Sequence, residues 1–299
     1  MSSRGWSAGR RRAFALGLAP ALVVLAVVTI APAGYLLLTS LTPLNLTMPG
    51  TAWDFSGPHY NYVDLWDDDR FHQSAWIQVK LSAATVTLQL LVGLGVALLL
   101  NHGNWLRRFA RTIFLVPMVL PPIAVGILWR VMYTVDISPL HRFMAWIGLP
   151  VPPLTTDPSL ALWAIVIADT WEWFPFTMLL VLAALQMIPD APVEAAKIDG
   201  ANDLQMFRYV LLPYIAPTLL VAALFRLIDS VKAFPLIYVL TNGGPGDATT
   251  VTNYYAFVQA FNFSLWGYSS AVATLMVVAI FALSWIIDRL SGTGDARVD

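Results

Sequence analysis

Two groups of charged residues lie where charge is expensive. One is Asp169-Thr170-Trp171-Glu172-Trp173-Phe174-Pro175-Phe176, inside an apolar run from Ser159 to Ile188; the other is Arg226, Asp229, Ser230 and Lys232, inside a run from Tyr214 to Leu240. An ionisable group within such a run marks, by default, a solute pathway or a buried pair. Carboxylates and a guanidinium make directional hydrogen bonds to hydroxyls, and aromatic faces stack on the apolar face of a pyranose. Asp169 and Glu172 beside Trp171, Trp173 and Phe176 therefore offer both halves of a saccharide site. The competing reading is self-neutralisation: Arg226 with Asp229, and Asp229 with Lys232, stand three residues apart and can meet on one helix face. The residues alone leave both readings open.

Catalysis has little support. Two neighbouring acids on one apolar helix, without a nucleophile or a water-activating metal site, do not make a hydrolytic centre. The absence of cysteine removes disulfides, thiolate metal sites and thiol catalysis. His59, His72, His102 and His141 are scattered without metal-ligand spacing and are expected at solvent or an interface. A net charge of -1 with no basic stripe argues against nucleic acid.

The elements that must position these residues are membrane spans. The chain is 58% hydrophobic and 12% charged, against about 25% charged for a soluble domain. Six runs approach or exceed the roughly 20 residues a bilayer needs: Phe14–Leu41, Ala75–Leu100, Thr112–Thr134, Ser159–Ile188, Tyr214–Leu240 and Tyr268–Ile287. The first is too long for the roughly 7–15-residue apolar core of a signal peptide, so it reads as an uncleaved span. Pro117, Pro121 and Pro122 in the third are expected as tolerated kinks. A short amphipathic segment is expected at Leu140–Ile147. After Asn242-Gly243-Gly244-Pro245-Gly246, a string of turn formers, an interfacial helix with Tyr254, Tyr255, Phe257 and Phe261 as aromatic anchors is expected.

Lysine and arginine set the orientation. With the N-terminus inside, the inner segments hold Arg4, Arg10, Arg11, Arg12, Arg107, Arg108, Arg111, Lys197, Arg208, Arg289 and Arg297, and the outer loops hold Arg70 and Arg142, with Lys80 and Arg130 near outer helix ends where long stems can snorkel. Both termini are therefore expected in the cytoplasm. The expected organisation is an N-terminal tail over 1–13, a membrane domain over 14–290 and a C-terminal tail over 291–299.

This topology puts Glu194–Pro217 on the inner side. Pro192 suits a first helical turn, Glu194 places negative charge near that helix's N-terminus, and Gly200 offers a stop. Asn202 and Asp203 are N-cap candidates for a second helix with Leu204, Phe207, Val210 and Leu211 on one face. The expectation is helix, turn, helix across the membrane surface. Ala195, Ala196 and Ala201 leave a small-residue surface that a partner can approach.

Glu194, Ala195, Ala196, Gly200, Leu212 and Pro213 resemble the EAA loop of bacterial ABC importer permeases, and Thr241-Asn242-Gly243-Gly244-Pro245 resembles the carbohydrate-uptake branch of that family. The resemblance implies an all-α membrane protein of six transmembrane helices, with the type I ABC importer permease fold and a cytoplasmic coupling helix within 190–213. Its ATPase-coupling residues are then Glu194, Ala195, Ala196, Asp199, Gly200 and Ala201. In the maltose-type members, an Asn-Thr-Trp-x-Gly-x-Pro-Tyr stretch falls on Asp169 to Phe176, and further sugar-lining positions fall on Arg226, Ser230 and Ala233. Only the positions transfer, because Asp169, Trp173, Phe176, Arg226 and Ala233 depart from the residues used for maltose. With Glu172 and Asp229 added from the charge pattern, the candidate substrate site is Asp169, Glu172, Trp173, Phe176, Arg226, Asp229, Ser230 and Ala233.

The function so implied is that of a permease subunit carrying a sugar or sugar derivative (an anionic sugar, a glycoside or a polyol) across the inner membrane. The chain itself is expected to be no enzyme. It has no GxxxxGK[ST] loop, so ATP and Mg belong to a partner ATPase. The implied partners are a second, similar permease, two copies of the ATPase, an extracytoplasmic solute-binding protein, a sugar and the lipid bilayer. The rival readings are an ion-coupled secondary transporter using Asp169, Glu172 and Asp229 as a relay, a membrane-embedded enzyme, and a homodimeric permease or one for a non-sugar solute.

Overall fold

The computed structural model describes residues 3–48, 50–101, 105–149 and 152–291. The expected C-terminal tail after residue 291, with Arg297, lies outside the described residues, as do His102 and, in the N-terminal tail, Met1 and Ser2. Among the described residues, five helices are long and apolar enough to cross a membrane, and a bent pair, counted as one span, makes a sixth. The chain divides into two compact units.

The first unit comprises residues 1–68 and 256–275. Its long helix α1, Ser3–Ser40, extends the expected first span back through most of the expected tail. A short helix α2, Tyr60–Asp67, follows the polar loop. Asn61 fastens the end of α1, its amide donating to the carbonyls of Ser40 and Thr42 at 2.8 Å each. Gly267 lies so close to this turn that a Cβ there would clash with the Thr42 carbonyl oxygen. Tyr268 donates to the carboxylate of Asp68.

The second unit comprises residues 69–255 and 276–299 and holds all of the charged cluster. Helix α3, Asp69–Leu100, runs along α7, Ala161–Gln186. Gly93 makes the approach close, since a Cβ there would meet the Thr177 Cβ at 2.6 Å and the Phe174 carbonyl at 2.9 Å. Small residues at such crossings let apolar helices gain dispersion contact that the bilayer alone does not supply. Below this crossing, Ala97, Leu100, Met178, Val181, Leu182, Leu185 and Ile215 form a buried core. Arg111 donates to the Leu100 carbonyl at 2.6 Å, filling one of the acceptors left open at the end of α3.

The third span is broken, not kinked. Helix α4, Trp105–Val119, and helix α5, Pro122–Tyr133, meet at 99°. Leu120 precedes a proline and is pushed away from helical geometry, and two successive prolines remove two backbone donors, so the ladder cannot continue. Helix α6, Pro139–Trp146, is the expected amphipathic segment. Its His141 is buried with neither ring nitrogen hydrogen-bonded among the described residues, contrary to the solvent or interfacial place expected for it. Helix α7 starts after an Asp157 turn. There Ser159 donates to the carboxylate from its hydroxyl at 2.7 Å and its backbone at 2.8 Å, holding the Asp157 carboxyl below the usual carboxylate range.

Helix α8, Asp190–Ile198, begins earlier than expected, so Asp190 takes the acidic place in its first turn and Glu194 falls in the second. It ends in the paired hydrogen bonds of a Schellman motif: Ala201 N–H to Ala196 O at 3.0 Å and Gly200 N–H to Lys197 O at 3.1 Å. Gly200 has φ of 75°, the left-handed conformation that motif requires. Asn202 caps the next helix in a reciprocal box with Gln205, each bond 2.9 Å long.

The arm that follows is not a separate surface helix. The single turn α9, Asp203–Gln205, passes through a π-helical stretch, Met206–Leu211, into α10, Leu212–Val231, giving one 29-residue span. Phe207 and Leu211 pack on the core around Ile215, while Leu204 remains exposed. The fifth span also stops before its expected end. Pro235 bars Phe234 from helical geometry, and the chain restarts as α11, Pro235–Leu240. Helix α12, Thr252–Phe261, and helix α13, Trp266–Ser291, are the last helices among the described residues. Tyr254 and Tyr255 of α12 are buried rather than interfacial; the Tyr254 hydroxyl donates to Asn242, at 3.0 Å from its carbonyl and 2.9 Å from Oδ1.

Candidate functional site

The two charged groups of α7 and α10 meet, and a third helix joins them. The Arg226 guanidinium is 2% exposed and lies 3.8 Å from Asp169 Oδ2 on α7 and 3.3 Å from Asp229 Oδ2 on its own helix. Its Nε donates to Gln89 Oε1 of α3 at 2.8 Å, and Gln89 Nε2 donates in turn to Asp169 Oδ2 at 2.7 Å. The guanidinium also lies 4.5 Å from the centre of the Trp173 ring, a cation over an aromatic face. Lys232 stands 3.2 Å from Asp229 Oδ1. Both intrahelical pairs expected from spacing are present, and the longer pair between Arg226 and Asp169 joins them.

Burial grades the cluster. Arg226 and Glu172 are enclosed, whereas Asp229 and Lys232 have side chains 46% and 59% exposed. Glu172 Oε1 is buried with no hydrogen-bond partner among the described residues, an expensive arrangement for a carboxylate in an apolar span.

Not every expected residue joins this network. Ser230, one turn along the same face of α10 as Arg226, meets α3 separately, donating to Ser82 at 2.8 Å, and Gln78 donates to both Ser82 Oγ and the Ser230 carbonyl at 3.0 Å. Phe176 meets Phe225 edge-on, with ring centres 6.2 Å apart. Ala233 lies beyond the end of α10, in the turn leading to Pro235. Trp171 stacks edgewise on Trp129 of α5 at 5.8 Å.

Gln89 is the residue that sequence reasoning missed. Its signal was present: Gln78, Ser82, Thr85 and Gln89 recur at intervals of four, three and four, a polar stripe down one face of an otherwise apolar helix. All four are buried. A groove of about 690 Å³ lies between α3 and α7, lined by Lys80, Ala84, Leu88, Trp163, Val166 and Ala248, but none of the charged cluster lines it. The cluster's open edge is Asp229 and Lys232.

The coupling residues expected from the EAA pattern sit elsewhere. Helix α8 follows the C-terminal end of α7, 17 residues or about 25 Å of helix away from Asp169. Glu194, Ala195, Asp199 and Gly200 are exposed there, with Ala196 and Ala201 half-buried.

Residues 89–292 match the family described as "Binding-protein-dependent transport system inner membrane component". The trehalose/maltose transport system permease protein MalF of Thermococcus litoralis is 38% identical over 225 residues, 75% of this chain and 76% of its own length. The sulfoquinovosyl glycerol transport system permease protein SmoG of Agrobacterium fabrum is 31% identical over 287 residues, 96% of this chain and 92% of its own. Among solved structures, a chain of a bacterial ABC transporter involved in the import of the acidic polysaccharide alginate superposes with a TM-score of 0.81, covering 97% of this chain and 98% of that one at 19% identity. The fold is thus the expected type I ABC importer permease fold. By the matched segment and the extent of these relatives, the chain belongs to the family of multi-pass inner-membrane components of binding-protein-dependent transport systems.

Proposed function

We propose that this chain is the permease subunit of an ABC importer that moves a sugar or sugar derivative across the inner membrane. The observation that carries the reading is the polar network of Gln89, Asp169 and Arg226, which joins three spans of a chain whose relatives bear the names of trehalose/maltose and sulfoquinovosyl glycerol permeases. Asp169, Glu172, Trp173 and Arg226, with Asp229 at the open edge, form the substrate-facing group, and Phe176, Ser230 and Ala233 flank it. Gln89 holds the carboxylate and guanidinium in register.

Hydrolysis of ATP, with its Mg, belongs to a partner. Helix α8 is the coupling helix, with Glu194, Ala195, Ala196, Asp199, Gly200 and Ala201 as its contact residues. Large apolar side chains are exposed around it, Met187 at 82%, Ile198 at 85% and Leu204 at 72%, as a docking surface requires. The positive-inside distribution of Lys and Arg puts α8 and both termini in the cytoplasm. A second permease, two copies of the ATPase and an extracytoplasmic binding protein complete the assembly. Closure of the ATPase dimer draws two coupling helices together, and the linked spans rock the pathway between inward-facing and outward-facing states.

The test is a pull-down of the tagged chain in mild detergent from its native host, with ATPase activity measured before and after Glu194→Lys. Recovery of a P-loop ATPase that the substitution releases or uncouples is the expected result. A lone chain after gentle extraction would overturn the reading and return the intramembrane acids to the ion-relay alternative.

A further inference from the structure

Both cations of the cluster are already held. Arg226 gives one terminal nitrogen to Asp229 at 3.3 Å, turns the other towards Asp169 at 3.8 Å, and donates from Nε to Gln89 at 2.8 Å. Lys232 stands 3.2 Å from the second oxygen of Asp229. Against these two cations stand three carboxylates. The third, Glu172, is 1% exposed, and its Oε1 lacks a hydrogen-bond partner among the described residues. What the cluster has to spare is therefore acceptor capacity.

At the open edge a hydroxyl or ammonium group can donate to the half-exposed Asp229 carboxylate without breaking its pairs with Arg226 and Lys232. A carboxylate or sulfonate finds no unengaged cation here. It must either displace a carboxylate from Arg226 or take the outer ammonium protons of the half-exposed Lys232, and in both places it lies beside Asp229 in a cluster of three carboxylates against two cations. Like charges brought together in a poorly solvated site exclude a ligand more strongly than a missing contact does.

We infer that the site takes a non-anionic, donor-rich saccharide and discriminates against carboxylated or sulfonated sugars. This rests on the reading of the chain as a sugar permease and deepens it. Asp229 is the residue that keeps the site closed to anions, because it occupies an arm of Arg226 and Lys232 together. Similarity to permeases named for an acidic or sulfonated glycan therefore does not carry their ligand charge to this chain.

The test uses the full-length chain, purified with the subunits that accompany it, in detergent. Matched neutral and uronate probes of one, two and three sugar units are titrated calorimetrically: methyl glucoside with methyl glucuronide, trehalose with its mono-uronate, and maltotriose with its mono-uronate. The neutral member of at least one pair should bind tenfold or more tightly than its uronate. Asp229→Asn, at the half-exposed edge where folding is least at risk, should narrow that ratio by about tenfold by freeing Lys232 and one arm of Arg226. Asp169→Asn should narrow it in the same direction. Equal binding of neutral and uronate probes by the unaltered protein overturns the charge inference while leaving the sugar reading intact, and so does an unchanged ratio in Asp229→Asn. If neither member of any pair binds, the sugar reading itself falls, and the inference with it.

Discussion

Gln89 Oε1 accepts from Arg226 Nε at 2.8 Å while Gln89 Nε2 donates to Asp169 Oδ2 at 2.7 Å, so one amide bridges a cation and an anion from two other helices. Each end of the amide meets the group of matching polarity. An ionised carboxylate at this position could accept from Arg226 but could not donate to Asp169.

Replacing Gln89 with leucine keeps the volume and removes both bonds. Arg226 Nε and Asp169 then lose a buried partner, which costs about 1–3 kcal/mol. The expected result is a lower apparent melting temperature in detergent. A double-mutant cycle with Asp169→Asn should show coupling well above the roughly 0.5 kcal/mol scatter of independent sites. Additive effects would show that the bridge contributes no pairwise energy.

Arg226→Leu alone leaves the largely buried Asp169 without its cation and Asp229 with Lys232 only, and should destabilise by about 3–5 kcal/mol. Arg226→Leu combined with Asp169→Leu should recover much of that stability, because a buried pair replaced by apolar groups of similar size is often close to neutral. Transport should remain lost in the double variant. A double variant that is stable and transports normally would assign the pair a purely structural role. Lys232→Ala, by contrast, breaks an exposed pair and should shift stability by less than about 1 kcal/mol.

Gly93→Ala and Gly95→Ala differ by half a turn of α3 and should differ sharply in outcome. At Gly93 a Cβ meets Thr177 at 2.6 Å, whereas at Gly95 nothing lies within 4 Å. Overpacking at the first should cost about 1–3 kcal/mol, and the second should be neutral or slightly stabilising through better helix propensity. Thermal unfolding of the two purified variants decides it.

At Gly200, space and conformation separate. A Cβ at this position would meet no atom within 4 Å, but φ is 75°. Gly200→Ala should therefore cost about 1–2 kcal/mol through backbone strain alone, with ATPase stimulation reduced and membrane insertion intact. Gly200→Pro and Glu194→Lys should uncouple ATP hydrolysis from uptake. Normal coupled uptake in both would remove α8 from the coupling role.

The class of molecule and most of its spans followed from the amino-acid order alone, because twenty-residue apolar runs, N-caps and a left-handed glycine act over short distances. Asn202 and Gly200 kept the local roles that their types dictate, and the pairs from Arg226 to Asp229 and from Lys232 to Asp229 followed from a spacing of three. The break at Pro121-Pro122 and the merger of the second loop helix into α10 were not legible. Whether a proline kinks or breaks a span, and whether two helical segments fuse, depends on packing against neighbours. It took the packing of three helices to bring Gln89, Asp169 and Arg226 together, 80 and 57 residues apart in the chain. The same packing turned Ser230 towards Ser82 and left Glu172 Oε1 without a partner among the described residues. The reason is that helix periodicity tells which residues share a face, but the neighbour opposite that face is set by how the helices cross.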